Sequence, residues 1–248
     1  MPQLVLVLEF APGVELFDAI LSKKSFTEEE ARPVFVQASC YRVARALQYI
    51  HSKQIVHRDV KPENVMIIDR PTEDGLYPQA KLLDFGLSKA IDADMGGSAA
   101  RTFVGTPSYL APEVEEKKGG KGKPYGTPVD CWSLGAMLYV MLVARFPEFQ
   151  AQQGVRKIVR MEGPLWNKVS AEAKELIRRL MAFDAGARLT VDKALCHPWL
   201  GKLAAKDPPP PPSLMQTPGM AQQGMMPPVA ESMAFSVSPA VLAAGAGA

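Results

Sequence analysis

The chain is poor in cysteine and nearly neutral in charge. Its 248 residues include three cysteines, Cys40, Cys131 and Cys196, which are too few and too scattered for a disulfide framework or a zinc knuckle. We therefore expect a reducing compartment, either cytoplasmic or nuclear. The 28 basic residues almost balance the 26 acidic ones, so no overall field favours nucleic acid or an anionic membrane as a partner.

Long apolar runs are also missing. The most apolar stretch, residues 134–144, has about half of the roughly 20 residues that span a bilayer. The first residues do not open a signal peptide, so no membrane partner is expected. What the chain does have is 47% hydrophobic residues, enough for a sizeable core.

The composition of the chain changes after Lys206. Residues 207–248 are rich in proline, methionine and alanine and contain no lysine or arginine. Such a segment without periodicity predicts a disordered tail behind a domain of residues 1–206. The five prolines at 208–212 either dock as a polyproline helix in an aromatic groove or serve as a plain spacer.

Apolar spacing predicts a largely helical domain. Residues 4–8 are typical of a short buried strand, which a Pro-Gly pair at 12–13 ends before a helix that begins near Glu15. Thr27 and Glu30 form a capping-box pattern for a long helix, in which Pro33 predicts a kink or a late start. Its core face is predicted to carry Val36, Cys40, Val43, Leu47 and Ile50.

Two further helices and one hairpin are predicted downstream. Residues 65–68 and 81–83 form the hairpin, because two apolar runs flank a turn-rich segment. Thr127 starts the next helix, and Ser170 caps the last one. One face of the first of these helices is predicted to hold Val129, Trp132, Ala136, Val140 and Val143; the second buries Leu176, Ile177 and Leu180.

The polar residues with chemical potential are concentrated around the hairpin. They form His-Arg-Asp-Val-Lys-Pro-Glu-Asn at 57–64 and Asp-Phe-Gly at 84–86. Asn64 and Asp84 offer the oxygen ligands that Mg²⁺ prefers, and the Asp59 carboxylate can hold a hydroxyl and accept its proton. Lys61 can offset the charge of a phosphoryl group. Alternatively, Asp84 forms an ordinary turn, Asp59 caps the hairpin and Lys61 is a solvated surface residue.

These two motifs are followed by Gly-Thr-Pro-Ser-Tyr-Leu-Ala-Pro-Glu at 105–113 and Asp-Cys-Trp-Ser-Leu-Gly at 130–135. The ordered set resembles the protein kinase family over residues 1 to about 200. The resemblance implies an α+β fold, a mainly helical C-terminal lobe with short β-hairpins. It also implies ATP and Mg²⁺ as cofactors, with Asp59 as catalytic base, Lys61 on the γ-phosphate, and Asn64 and Asp84 on the metal ions.

Other site residues follow from the same resemblance. Glu9 to Ala11 match the hinge that meets the adenine edge, Leu8 matches the gatekeeper, and Met66 would lie under the ring; Leu8 and Met66 are alternatively plain core residues. Glu15 and Glu63 match acidic positions of related kinases that contact either the ATP ribose or basic substrate residues ahead of the acceptor. Alternatively, both glutamates are simply solvated. A protein substrate with basic residues upstream of its acceptor is the corresponding expectation.

The resemblance also predicts the acceptor and the control of activity. Lys61, two residues after Asp59, and the loop residue Thr106 are typical of kinases that phosphorylate serine or threonine. Arg58 before the catalytic aspartate implies control by phosphorylation. Thr102 is the best candidate for the residue that an activating kinase phosphorylates, and Ser98 is the second. Alternatively, both are plain polar loop residues.

Three residues have predicted structural roles. Glu113 and Arg188 are expected to form a buried ion pair between the activation segment and the helical core. Asp130 is expected to bind the backbone of the catalytic loop. It lies three residues after Thr127, so it is alternatively the acid of a capping box.

The motifs most resemble calcium/calmodulin-dependent and checkpoint-type kinases, and the basic insert at 115–123 either docks a partner or is a solvated loop. No glycine-rich loop, strand lysine or helix glutamate precedes Leu4. We therefore expect a kinase domain without its N-terminal lobe, which binds ATP weakly and transfers phosphate poorly. Besides a kinase, a catalytically dead binding or regulatory module and, last, a small-molecule phosphotransferase are the alternatives.

Overall fold

The computed structural model describes residues 9–23, 35–68, 79–91, 105–115, 125–152 and 156–204. Their helices are α1 (Leu16–Lys23), α2 (Val36–Ser52), α3 (Pro112–Glu115), α4 (Pro128–Val143), α5 (Ala171–Leu180), α6 (Val191–Leu195) and α7 (Pro198–Ala204). Their strands are β1 (Val14–Glu15), β2 (Ile55–Val56), β3 (Val65–Ile68), β4 (Gln79–Leu82), β5 (Lys89–Ala90), β6 (Phe149–Gln152) and β7 (Arg156–Val159). Helices with small sheets are thus the observed architecture.

Helix α4 is the centre of the core. Every residue from Val129 to Val143 is buried, so the five residues predicted for one face are buried and burial extends to the other sides of the helix. A helix that is hydrophobic on all sides is stable only when neighbours surround it. Helices α2 and α5 pack against it, and Gly135 permits the close approach of α5, because a Cβ there would lie 2.7 Å from Met181 Cγ.

Helix α4 ends in a tight turn at Ala144. This residue is left-handed, with φ 51° and ψ 34°, and its N–H bonds the carbonyl of Val140. The same conformation ends many helices, usually at a glycine. The turn redirects the chain at once toward the exposed residues before β6.

Helix α2 matches its prediction. The five predicted core residues are buried, and the helix begins at Val36, in agreement with the late start that Pro33 predicts. The capping-box residues Thr27 and Glu30 lie outside the described residues. Ser170 caps α5 as predicted, since its hydroxyl accepts a hydrogen bond from Ala173 N–H, whereas Thr127 makes no side-chain cap for α4.

Three small antiparallel sheets accompany the helices in the described residues. The predicted hairpin is confirmed as β3 and β4, with Val65 opposite Leu82 and Ile68 opposite Gln79; the second strand lies at 79–82 rather than 81–83. Strand β1 pairs with the other edge of β3, just before α1 begins at Leu16. Strand β2 pairs with β5, and β6 with β7.

All three cysteines are free. Within the described ranges, no helix combines the length and apolarity that crossing a bilayer requires. The predicted strand at 4–8 and the predicted tail at 207–248 lie outside the described residues.

Candidate active site

A network of hydrogen bonds joins Asp59, Lys61, Asn64 and Thr106. Lys61 Nζ lies 2.8 Å from Asp59 Oδ2 and donates to Thr106 Oγ1 at 2.8 Å. Thr106 Oγ1 in turn donates to Asp59 Oδ1 at 3.1 Å. Asn64 Nδ2 donates to the Asp59 carbonyl at 2.8 Å and to its Oδ2 at 2.9 Å. Residues 47 positions apart in the chain therefore meet at one carboxylate.

The Asp59 carboxylate is held in its ionised form. Only 8% of Asp59 is exposed. Burial disfavours the charge and by itself would raise the pKa of Asp59. The hydrogen bond and positive charge of Lys61, together with the hydrogen bonds of Thr106 and Asn64, outweigh burial and hold the pKa of Asp59 below its usual value. Asp59 is therefore an anion at neutral pH and can accept a hydrogen bond from an incoming hydroxyl. It does not simply cap the hairpin.

The backbone before Asp59 is fixed by a residue of the central helix. Asp130, fully buried, accepts hydrogen bonds from the N–H groups of His57 at 2.9 Å and Arg58 at 2.8 Å. Its Oδ2 also lies 2.8 Å from His51 Nε2. Arg58 has a left-handed φ of 72°, which this pair of bonds stabilises. Asp130 thus binds the backbone before Asp59, and the capping-box alternative is wrong because Thr127 caps nothing with its side chain.

The β3–β4 hairpin brings the residue before Asp84 into contact with Asn64. The N–H of Leu83 donates to the Asn64 carbonyl at 2.8 Å, which continues the ladder of β3 and β4 and places Asp84 one residue further on. Asp84 has a left-handed φ of 58°. Its Oδ1 accepts the N–H of Gly86 at 2.9 Å, and the residue remains exposed. Its carboxylate can therefore still reach a ligand.

His57 connects the two predicted motifs. Its Nδ1 accepts from Asp59 N–H at 3.3 Å, and its Nε2 lies 3.0 Å from the carbonyl of Leu83. A neutral ring with its proton on Nε2 satisfies both bonds, and burial, the largest influence, lowers the pKa of His57. The ring also contacts Phe85 edge-on, with centroids 4.9 Å apart. Sequence reasoning assigned no role to His57, although it opens the first motif.

The donor set of Asn64 and Asp84 fits Mg²⁺. The Asn64 amide nitrogen donates to Asp59, which leaves the amide oxygen for a cation, and Asp84 adds a carboxylate. No cluster of three or more histidine, cysteine or acidic side chains occurs among the residues that the structure describes. A pair of oxygen ligands of this kind suits Mg²⁺, which usually completes its shell with water and substrate phosphates.

Two residues assigned to the nucleotide, Glu15 and Met66, lie in the three-stranded sheet whose strand β3 begins directly after Asn64. Glu15 in β1 and Lys81 in β4 both stand opposite Met66 in β3. Met66 is half-buried whereas its strand neighbours are buried, so it is not a plain core residue. The exposed Glu9 forms an ion pair with Lys81. Ala11 is half-buried in the same loop, and Leu8 lies outside the described residues.

Two buried polar atoms without a partner lie beside the network. Glu63 Oε2 and the Tyr109 hydroxyl are both buried and without a hydrogen-bond partner among the described residues. Burial first, and then the charge of Glu63, raises the pKa of Tyr109. Glu63 also forms no ion pair with any described side chain. In the part of the chain that the structure describes, no cation therefore compensates its negative charge.

The activation-segment residues divide between described and undescribed parts of the chain. Glu113 and Arg188 form a bidentate ion pair, with Nη1 to Oε1 at 2.6 Å and Nη2 to Oε2 at 2.9 Å. The Arg58 side chain donates from Nε to the carbonyl of Leu87. Thr102 and Ser98 lie outside the described residues, as do residues 116–123 of the basic insert.

Comparison with known proteins identifies the family. A model of the protein kinase domain matches residues 2–200. The chain is 40% identical over 203 residues to a probable serine/threonine-protein kinase, fhkC, of Dictyostelium discoideum, covering 79% of this chain and 31% of that protein.

It is 37% identical over 207 residues to calcium/calmodulin-dependent protein kinase type 1 of Macrobrachium nipponense, covering 81% of this chain and 54% of that protein. The serine/threonine-protein kinase DCLK2 of Mus musculus is 35% identical over 213 residues, covering 82% and 26%. The chain thus spans between 26% and 54% of the length of these relatives. With the kinase domain matched over most of its length, this chain belongs to the protein kinase family.

Proposed function

We propose that the protein transfers the γ-phosphate of ATP to serine or threonine of protein substrates. The observation that supports it most is the network in which Lys61 and Thr106 both reach the buried Asp59 carboxylate. Relatives named as serine/threonine-protein kinases agree with this function. Residues 1–206 would form the domain, with the described part corresponding to the mainly helical lobe of such kinases.

Each residue of the network has a separate task in this proposal. Asp59 accepts a hydrogen bond from the acceptor hydroxyl and orients its oxygen. A carboxylate with a low pKa is a weak base, so the proton moves to Asp59 late, as the bond to phosphorus forms. Lys61 supplies a positive charge where the transferred group becomes more negative. Mg²⁺ bound by Asn64 and Asp84 would neutralise the phosphates of ATP.

The direct test is an assay with radiolabelled ATP and Mg²⁺ on three peptides that differ only in a serine, threonine or tyrosine acceptor. Label on the serine and threonine peptides and none on the tyrosine peptide is the expected result. Transfer to none of the three peptides, nor to mixed cellular protein, would argue for a binding module instead.

Glu63 supports a preference for basic substrates. Its carboxylate is partly buried, has no described cation as partner and lies four residues from Asp59. An arginine or lysine ahead of the acceptor would compensate that charge. Glu15, exposed on β1, is the second acidic candidate, for a basic residue or for the ribose.

We predict that a peptide with upstream arginine is the better substrate and that Glu63→Gln reduces this advantage about tenfold, equivalent to about 1.4 kcal/mol. Glu162→Gln, a change at an exposed glutamate paired with Arg160, is the matched control and should keep the preference. A peptide array on which arginine and alanine peptides react equally well would end the proposal.

We propose that an activating kinase phosphorylates Thr102. This residue precedes Gly105-Thr106-Pro107 in the activation segment, and Arg58 would bind its phosphate. We expect Thr102→Ala to lower activity, and Ser98→Ala tests the second candidate in the same assay. Mass spectrometry of the active protein that finds Thr102 unmodified would contradict the proposal.

A further inference from the structure

The ion pair between Lys81 and Glu9 joins two parts of the chain that are 72 positions apart. Lys81 belongs to strand β4, whereas Glu9 lies in the loop before β1. The side chain of Lys81 is 36% exposed and that of Glu9 75% exposed. Sequence reasoning assigned no functional role to Lys81, because nothing near it in the chain points to Glu9. The pair attaches the loop to the strand at one edge of the sheet.

The sheet fixes the position of Lys81. Strand β4 pairs with β3 over four residue pairs, and Lys81 stands directly opposite Met66. Residues opposite each other in an antiparallel pair project from the same face of the sheet. Lys81 therefore shares a face with Met66, the residue assigned to the adenine ring. Its ammonium group is held on this face by Glu9.

The loop that contains Glu9 is also fixed at its other end. A Cβ on Gly13 would lie 2.2 Å from the carbonyl oxygen of Ile67 in β3, so the chain passes β3 too closely for a side chain. Val14 then pairs with Ile67. Between these two ends, residues 10–12 make no backbone–backbone hydrogen bond with any described residue. Their backbone groups are available to a ligand, and the two ends determine where these groups lie.

We propose that the ion pair between Lys81 and Glu9 positions the loop of residues 9–12 and thereby raises its affinity for the adenine ring of ATP. This inference rests on the proposed kinase function. Lys81 is a positioning residue, because it acts through Glu9. The apparent affinity of a ligand falls in proportion to the fraction of molecules whose binding site is in the competent position. Since exposed ion pairs are weak, the expected effect is small but measurable.

The test is a double-mutant cycle on Lys81 and Glu9. Lys81→Met and Glu9→Gln should each raise the Kd of adenosine and the KM for ATP roughly threefold, equivalent to about 0.7 kcal/mol. The value of kcat at saturating ATP should change less than about twofold. The double variant should bind no more weakly than either single variant. The reversed pair, Lys81→Glu with Glu9→Lys, should restore the affinity. Ligand-observed nuclear magnetic resonance gives the Kd of adenosine, and a kinase assay gives KM and kcat.

Ionic strength provides a second readout, which a merely structural role would not change. Salt screens exposed charges, with a Debye length of about 10 Å at 0.1 M and about 3 Å at 1 M. Adenosine carries no charge, so the difference in its Kd between the parent protein and Lys81→Met should shrink toward zero at about 1 M KCl. Arg179→Met removes the cation of another exposed pair, with Glu175 at 3.3 Å. As the control, it should keep the parent affinity at every salt concentration.

An unchanged Kd in both single variants, or a parent protein without affinity for adenosine, would overturn the proposed positioning role. A loss of affinity in Lys81→Met but not in Glu9→Gln would also overturn it, because Lys81 would then contact the nucleotide itself. Thermal unfolding checks that each variant is folded. The kinase function is tested separately by phosphorylation of peptides by the parent protein. Adenosine binding that depends on the pair, without any phosphorylation, would support the positioning role and contradict the proposed function.

Discussion

Asp59→Asn should lower kcat for peptide phosphorylation by at least about a hundredfold, which is the lower end of what a positioned general base contributes. The asparagine has nearly the same shape, but its amide has one acceptor oxygen, so it can replace the contact with Lys61 at Oδ2 or the contact with Thr106 at Oδ1 but not both. It cannot take up the proton of the acceptor hydroxyl. The loss should therefore appear in kcat, with little change in KM for ATP, and initial rates with radiolabelled ATP measure both.

A matched control is Asp184→Asn. Asp184 also accepts a backbone N–H, from Gly186 at 2.9 Å, and is exposed at a distant turn. This variant should keep full activity. Retention of the parent kcat by Asp59→Asn would show that the Asp59 carboxylate is not the base, and the roles proposed for Lys61 and Thr106 around it would fall with it.

Arg188→Ala should lower the free energy of unfolding by about 3–5 kcal/mol, as expected when one partner of a buried ion pair is removed. The Arg188 side chain is 0% exposed and that of Glu113 24% exposed. Besides Glu113, the guanidinium donates to the carbonyls of Pro128 and Ala182 at 2.9 and 3.0 Å and lies 5.2 Å from the centre of the Trp132 ring. The substitution removes all of these contacts together.

Urea denaturation followed by far-ultraviolet circular dichroism measures the loss. Arg179→Ala is the control, because Arg179 forms an exposed pair with Glu175 at 3.3 Å, and exposed helix pairs contribute only about 0.3–0.5 kcal/mol. Arg188→Lys should fall between the two, since an ammonium group cannot form the bidentate pair. A loss for Arg188→Ala no greater than for Arg179→Ala would mean that the buried pair adds no net stability.

Local patterns in the sequence were sufficient for the four longest described helices and for the β3–β4 hairpin. The apolar spacing in α2, the cap at Ser170 and the β3–β4 hairpin are encoded by residues near one another in the chain, so they could be predicted from neighbours alone. The residues of the catalytic loop were found because several motifs occur in a fixed order. Their geometry could not be predicted, because Thr106 reaches Asp59 only after the chain has folded.

The errors arose where tertiary packing determines the outcome. For helix α4 the prediction named only the buried residues of one face, whereas its neighbours bury every side. Asp130 had two plausible partners in the sequence, and only the fold places it under the backbone of His57 and Arg58. The ion pair between Lys81 and Glu9 gave no local signal, since 72 positions separate its partners. The roles assigned to Leu8 and Thr102 and the disordered tail at 207–248 stay predictions.

The position of Asp130 has a consequence for how the catalytic loop fluctuates. Proteins open in cooperative units, and a loop held mainly by its own short contacts usually opens first. Here the N–H groups of His57 and Arg58 donate hydrogen bonds to the Asp130 carboxylate. Asp130 belongs to α4, the most deeply buried of the described helices. Releasing the two N–H groups would leave the Asp130 carboxylate inside the core with His51 Nε2 as its remaining hydrogen-bond partner. We therefore expect the loop that holds Asp59 to open together with the central helix rather than by itself.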